Sequence, residues 1–457
     1  MRKLYSVLLV LLLAAFPAGS NLFSIDLGIG SIYLFRIVLL ISLFLLLARR
    51  KLIFYNSIYT KRAFYLLLIW VSYAFLSMLW AVDVKLAIVE SLYLVKALLL
   101  FVVIVSLSKQ SDDGLKTIHW SWILGLLITM LLAVFEIYSG QHVKGIFTEF
   151  LKNVHPLRPA FRSIISVFSG PNEYCVYLCL SVPFLLYKIP KKFILLSFLV
   201  VIFTFYVVYK NDARVAVIAL IFQGIMFSVL FFKQWRKKIV EFIRRFEVKV
   251  SLVIIFASIF YFAFFLQYVK NPRTTHDDYS MIASFGNGFQ SPAERFLDED
   301  GKEIPMGSLG IRKGLIFNGV LFLKDSYFLG VGAGNYKKYI KDQKGEYNTK
   351  YASQPHAWWI EILSQYGLII FSLYFGFVGM LFLFFLKMKK RYEIENQDCS
   401  LVIFGMVFLV TFLLVSNASS TFINNPVNWI SFSILTLVAD KIYLQVNSKN
   451  KDISELE

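Results

Sequence analysis

Three residues combine a type and a setting that could do chemistry. Arg214 closes the polar turn Lys210-Asn211-Asp212-Ala213-Arg214 at the start of an apolar run. Arg312 follows Gly307-Ser308-Leu309-Gly310-Ile311 and precedes the apolar segment from Gly314 to Leu323. His356 opens His356-Ala357-Trp358-Trp359-Ile360-Glu361-Ile362-Leu363-Ser364-Gln365-Tyr366-Gly367. A guanidinium stays charged and presents forked donors that match phosphate oxygens, and an imidazole exchanges protons near neutral pH. Such residues beside apolar runs are functional candidates by default. Each also fits a structural role. Arg214 could snorkel or pair with Asp212, Arg312 could be a solvated loop charge, and His356 could cap a helix among aromatic neighbours.

Other polar features are weaker. Phe168-Ser169-Gly170-Pro171-Asn172-Glu173-Tyr174 interrupts an apolar run, and Gly-Pro-Asn breaks a helix. Broken backbone in a membrane is tolerated where it lines a cavity, which makes Glu173 a cavity carboxylate and Asn172 its neighbour. Gly330-Val331-Gly332-Ala333-Gly334-Asn335 lacks the lysine and hydroxyl of a phosphate loop, so it reads as a tight turn whose N–H groups could face an anion. Asp277-Asp278 and Asp298-Glu299-Asp300 offer too few convergent ligands for a metal. Lys96, Glu90, Glu136 and Arg36 fall inside apolar runs and read as structural pairings. Cys175, Cys179 and Cys399 have no zinc spacing and read as small packing residues.

The elements that must position these residues follow from composition. Of 457 residues, 58 % are hydrophobic and 17 % charged, with a net charge of +18. Mean hydropathy is +0.65. These values exclude a disordered chain, a disulfide scaffold and an ordinary soluble enzyme. Spanning helices need about 20 mostly apolar residues. Runs near 4–19, 29–48, 63–81, 86–108, 118–138, 164–187, 193–209, 213–232, 250–268, 356–386, 400–417 and 428–445 predict an all-α polytopic membrane protein of about 12 transmembrane helices. The first run resembles a signal peptide but reads as a retained helix. The segment 356–386 is too long for one perpendicular span. His356 and Gly367, eleven apart, are expected on one helix face.

Lys and Arg crowd segments 49–62, 233–249 and 387–391, whereas the short loops on the other side hold only Lys85, Lys144, Lys152, Arg158, Arg162 and Lys210. This bias predicts cytoplasmic N- and C-termini. Most of the positive charge is then an orientation signal and a contact with anionic lipid. The run Lys233-Gln234-Trp235-Arg236-Lys237-Lys238 reads as an interfacial anchor, with no nucleic-acid partner. Residues 1–268 hold spans one to nine, 269–355 form one large extracytoplasmic loop, 356–445 hold spans ten to twelve, and 446–457 form a cytoplasmic tail. Short helices on the membrane face are expected within the loop.

Taken together, these pieces resemble the O-antigen ligase and polysaccharide polymerase family of bacterial envelopes. The topology is similar along the whole chain, and the motifs run from about 165 to 380. They are Ser169-Gly170-Pro171-Asn172-Glu173, Asp212-Ala213-Arg214-Val215-Ala216, Arg312 before its apolar segment, Leu329 to Tyr336, and His356 with Gly367. Ala213 replaces the family's serine, Ala357 its polar residue after the histidine, and Ile370 a small or tyrosine residue. The last two departures favour a polymerase over a ligase.

The resemblance implies a glycosyltransferase of the plasma membrane. It would move a glycan from a polyprenyl (undecaprenyl) diphosphate to an acceptor hydroxyl at the outer face, in O-antigen, capsule, exopolysaccharide or wall-polymer synthesis. Arg214 and Arg312 would hold the diphosphate and stabilise its developing charge, and His356 would orient or deprotonate the acceptor. Asn172, Glu173, Gly332, Gly334 and Asn335 are lesser candidates for binding glycan or diphosphate. No cofactor and no metal are expected, and the displacement should invert the anomeric carbon. The implied partners are the lipid-linked donor, a glycan or lipid-glycan acceptor, and membrane lipid. The competing reading is a transporter or flippase of lipid-linked oligosaccharide, which predicts inverted repeats and midplane charges. Lys96 fits it, but no repeat is evident and the large loop is unexplained. A sensor or scaffold gives no reason for two Arg and a His at one face.

Overall fold

The computed structural model describes residues 1–18, 25–26, 31–53, 57–143, 163–187, 193–245, 308–342, 344–347, 349, 352–395 and 397–454. These residues are overwhelmingly helical: α1 Arg2–Ala15, α2 Leu34–Ala48, α3 Ile58–Leu76, α4 Val84–Gln110, α5 Gly114–Ser139, α6 Pro171–Leu186, α7 Ile194–Lys210, α8 Arg214–Arg245, α9 Ser308–Asp325, α10 Tyr336–Lys341, α11 Trp358–Ile394, α12 Ser400–Val415 and α13 Pro426–Ser454. The described strands are Ile25–Asp26 and Ser31–Ile32, an antiparallel pair with Ile25 opposite Ile32.

Among the described residues, five helices are long and apolar enough to cross a membrane: Ile58–Leu79, Val84–Gln110, Gly114–Ser139, Trp358–Ile394 and Pro426–Ser448. Leu34–Ala48, Leu196–Lys210, Arg214–Leu230 and Ser400–Val415 are shorter apolar helices. Phe44, Leu131 and Leu383 are 69, 70 and 66 % exposed. So much exposed apolar surface would drive aggregation in water and suits hydrocarbon. The chain is a polytopic membrane protein. Apart from the run 250–268, which lies outside the described residues, each run expected to span overlaps a helix. The basic run at 233–238 continues α8, and the acidic pairs at 277–278 and 298–300 also lie outside the described residues.

Local chemistry sets the helix ends. Asp83 and Asp113 cap α4 and α5, accepting from Leu86 N–H at 3.1 Å and Lys116 N–H at 3.3 Å. Pro171 opens α6, where its missing N–H would have had no helical partner. The expected span 164–187 is therefore corrected. Helix begins at Pro171, and 163–170 is irregular backbone held from outside. The carboxylate of Glu136, fully buried, accepts from Val143 N–H at 3.2 Å, Ile165 N–H at 3.0 Å and Ser166 N–H at 2.7 Å, and faces His142 Nδ1 at 3.2 Å. That is the structural pairing expected of Glu136.

The core is aromatic. Trp122 stacks on Phe184 with ring centroids 4.8 Å apart, and Phe16 closes on Trp122 at 5.6 Å. Leu9, Leu12 and Leu13 of α1 are fully buried, so the first helix packs as part of the bundle. Trp70 meets Tyr366, Tyr374 and Trp429 at 5.5, 5.6 and 5.7 Å, which joins α3, α11 and α13. Cys175 and Cys179 are buried on α6, where the Cys175 sulfur accepts from Asn211 Nδ2 at 3.4 Å and the Cys179 thiol lies 3.6 Å from the Ala216 carbonyl.

Contacts between distant segments sort into two ends. At one, Tyr59 and Thr60 N–H donate to the Asp440 carboxylate at 2.9 and 3.2 Å, and Lys109 donates to Ser57 Oγ at 2.8 Å. At the other lie the 77–83 turn, the 163–171 segment, the 211–214 turn, the glycine run and the 416–425 loop. Every candidate site residue belongs to this second end.

Candidate active site

Arg214, Arg312 and His356 come from three separate elements. Arg214 is the first residue of α8, after a turn in which Asp212 adopts φ +51°. Arg312 lies in the first turns of α9. His356 precedes α11 with φ +52°, a left-handed backbone that non-glycine residues seldom adopt. The fold brings the three within electrostatic reach. Burial and then the Arg214 charge lower the pKa of Arg312. Burial and then the Arg312 charge lower that of His356, so its imidazole is neutral at pH 7. Its Nδ1 is buried with no hydrogen-bond partner among the described residues.

The structural alternatives weaken against this geometry. Arg214 Nε reaches Asp212 at only 3.7 Å, and the pair is exposed. Such pairs contribute about 0–1 kcal/mol, too little to commit the guanidinium. Arg312 is no solvated loop charge. It is half-buried, and its NH1 donates to the Asn417 carbonyl at 3.2 Å. Two guanidinium charges within electrostatic reach of one another repel, and an anion bound between them would relieve that repulsion.

Glu173 stands in the first turn of α6, half-buried beside Asn172. Ser420 donates to its Oε1 at 3.0 Å. A Cβ built on Gly170 would lie 2.7 Å from its Oε2, so the carboxylate folds back over the helix start only because that residue is glycine.

The glycine run is a tight turn, as its composition suggests. Gly330, Gly332 and Gly334 have φ of +82°, +93° and +70°. Most of its N–H groups are taken up within the protein, against the expectation that they could face an anion. Val331 N–H bonds Ser364 O at 2.9 Å, Gly332 N–H bonds Gln365 O at 3.1 Å, and Ala333 N–H bonds Ser77 Oγ at 3.0 Å. Asn335 is buried, accepts from Asp83 N–H at 2.8 Å and donates to Asp83 O at 3.2 Å. The turn therefore welds the α3–α4 corner to α11.

It meets α11 at a break. Gly367 has φ +70° and ψ −172°, so the expected long helix is two helices joined at a kink. His356 lies before the first of them and Gly367 on the break itself, so the two do not share a helical face as their spacing suggests.

The sequence reading passed over one element. The loop 416–425, Ser-Asn-Ala-Ser-Ser-Thr-Phe-Ile-Asn-Asn, joins α12 to α13. It supplies the partners of Glu173 and Arg312 already described, and Thr421 donates to Glu361 at 2.6 Å. Its signal was a polar decapeptide between two apolar runs. Of the intramembrane charges, Lys96 Nζ lies 4.5 Å from the Tyr93 ring centre and Arg36 4.7 Å from that of Tyr33. No three His, Cys, Asp or Glu converge as metal ligands among the described residues.

Residues 198–375 match the family model described as O-antigen ligase, a span that contains Arg214, Arg312, His356 and Gly367. Over that span the chain is similar to O-antigen ligases. It is also 23 % identical over 433 residues to the teichuronic acid biosynthesis protein TuaE of Bacillus subtilis (strain 168), covering 93 % of this chain and 81 % of that relative. The ligase-like span leaves out Asn172, Glu173 and the 416–425 loop, which the fold nonetheless draws to the same end.

Proposed function

We propose that this protein is a membrane glycosyltransferase. It moves a glycan from a polyprenyl diphosphate to an acceptor hydroxyl at the outer membrane face, in the synthesis of an envelope polysaccharide. The observation that carries this reading is the meeting of Arg214, Arg312 and His356 at one end of an apolar bundle. The ligase-like match supports it. The name of the relative TuaE makes teichuronic acid, or a polymer like it, a fitting product.

The chemistry follows from these groups. The acceptor oxygen attacks the anomeric carbon, and the bond from that carbon to the diphosphate breaks. The electron pair leaves with the diphosphate, where Arg214 and Arg312 stabilise the growing negative charge. His356, neutral at the outset, takes the acceptor proton, a contribution of about 10²–10⁴-fold in typical cases. Glu173 binds glycan hydroxyls beside them. A single displacement inverts the anomeric carbon, and two guanidinia in the place of a divalent ion make the reaction metal-independent. The termini are cytoplasmic and the site faces outward from the plasma membrane, an orientation that the lysine and arginine bias supports.

Deleting the gene in its host and running surface and carrier-linked glycans on one stained gel tests the reading. Single repeat units stranded on the carrier identify a polymerase. Long chains stranded on the carrier identify a ligase. An unchanged profile in both fractions contradicts the transferase.

A further inference from the structure

Glu361 lies five residues past His356, in the first turn of α11, and is 2 % exposed. Its carboxylate accepts from the Thr421 hydroxyl at 2.6 Å, Phe422 N–H at 2.6 Å and Ile423 N–H at 3.5 Å. Two of these donors are backbone groups, so Glu361 fixes the path of the 416–425 loop itself. That loop reaches the rest of the site on either side. Ser420 donates to Glu173 at 3.0 Å, and the Asn417 carbonyl accepts from Arg312 at 3.2 Å. Trp358, also in the first turn of α11, donates its indole N–H to Leu413 O at 3.1 Å, just before the loop. One ten-residue loop thus ties the helix that follows His356 to Glu173 and to Arg312.

A buried carboxylate is costly unless its oxygens are satisfied, and here the loop satisfies them. The dependence runs both ways: without the carboxylate, two buried N–H groups and a hydroxyl lose their acceptor.

We infer, resting on the transferase reading above, that Glu361 is a positioning residue. It locks residues 421–423 so that Ser420 and the Asn417 carbonyl hold Glu173 and Arg312 at a set distance from His356. Glu361 itself touches none of the reacting groups. In-line displacement needs acceptor, anomeric carbon and departing diphosphate aligned together, and a misplacement of about 1 Å can cost about 10²-fold. Loosening the loop should therefore slow turnover more than it weakens donor binding.

Steady-state kinetics of the full-length protein in liposomes, with a lipid-linked glycan as donor, provide the test. Glu361→Gln keeps the shape but turns an NH2 toward the loop donors. Thr421→Val removes one donor, and Thr421→Ser restores it. Glu361→Gln and Thr421→Val are expected to lower kcat about 10–100-fold. The donor KM should change less than about 3-fold. Thr421→Ser should work near the wild-type rate. Melting temperatures on the same samples normalise activity to folded protein, and the Thr421 pair stands alone if Glu361→Gln does not fold. Wild-type kcat per folded molecule in both Glu361→Gln and Thr421→Val overturns the proposal. So does a Thr421→Ser variant as slow as Thr421→Val, or the loss of an ionisation from the pH profile of kcat in Glu361→Gln, which would make Glu361 a proton-transfer group. Arg312→Ala with full activity would instead overturn the transferase reading, whatever Glu361 does.

Discussion

Gly332 donates its backbone N–H to the carbonyl oxygen of Gln365 at 3.1 Å. In an unbroken helix that carbonyl would accept from the residue four positions on. The kink at Gly367 frees it, and frees the Ser364 carbonyl and the Leu368 N–H with it. Residues 328–332 take up all three: Val331 N–H bonds Ser364 O at 2.9 Å, and Leu368 N–H bonds Phe328 O at 3.0 Å. A helix break at membrane depth is tolerable only when its backbone groups find partners, and the glycine run supplies them.

The first prediction follows from that joint. Gly367→Ala places a Cβ against Phe328 O and the Leu329 carbonyl in a left-handed backbone. It should destabilise the protein by at least about 1–3 kcal/mol. Gly376→Ala, with nothing within 4 Å of the new Cβ, should leave the melting temperature in detergent unchanged. Equal melting points for the two variants would refute the joint.

Arg214 and Arg312 should not tolerate lysine. An ammonium keeps the charge but loses the fork that matches diphosphate oxygens. Arg214→Lys and Arg312→Lys should each cut glycan transfer by about 10²-fold or more, a typical loss for one stabilising donor. The protein should remain membrane-inserted. Near-normal rates in the lysine variants would reduce both residues to point charges.

With His356 as the proposed base, activity should have an acid limit. Burial and Arg312 hold its pKa below the ordinary histidine value of about 6.5. A base must be neutral to act, so activity should be complete above that lowered pKa and fall only as pH drops through it. The acid limb of kcat/KM should lie below about 6.5 and vanish from the residual activity of His356→Ala. An unshifted limb in that variant would assign the ionisation elsewhere.

Asn335 separates binding from architecture. Its side chain bridges Asp83 and lies buried. Asn335→Ala leaves the Asp83 N–H without its acceptor, at a cost of about 1–3 kcal/mol. Activity per folded molecule should survive. A selective rise in donor KM at unchanged stability would return Asn335 to the binding site.

Transfer should continue in excess EDTA if, as proposed, Arg214 and Arg312 rather than a divalent ion stabilise the departing diphosphate. Loss of activity in EDTA with rescue by Mg²⁺ would direct attention to the acidic segments at 277–278 and 298–300.

The sequence by itself determined the membrane class, because twenty-residue apolar runs admit few other solutions. It marked Arg214, Arg312 and His356, because charged groups beside apolar runs are conspicuous. It also exposed the glycine run as a turn, since backbone freedom is written in residue type. The tertiary structure alone decided what these residues meet. Which carbonyl the Arg312 guanidinium bonds depends on a loop 105 positions away. No local pattern could place the Asn335 amide on Asp83, 252 positions earlier. The break at Gly367 was invisible for a related reason. The helical period continues through it in the sequence, and only a partner strand of backbone at 328–332 makes the break affordable. The 416–425 loop was legible as polar residues between apolar runs, yet its role lies wholly in contacts made across the bundle. Local propensity reads from neighbours along the chain, whereas a site assembled from separate helices is set by packing between segments far apart in sequence.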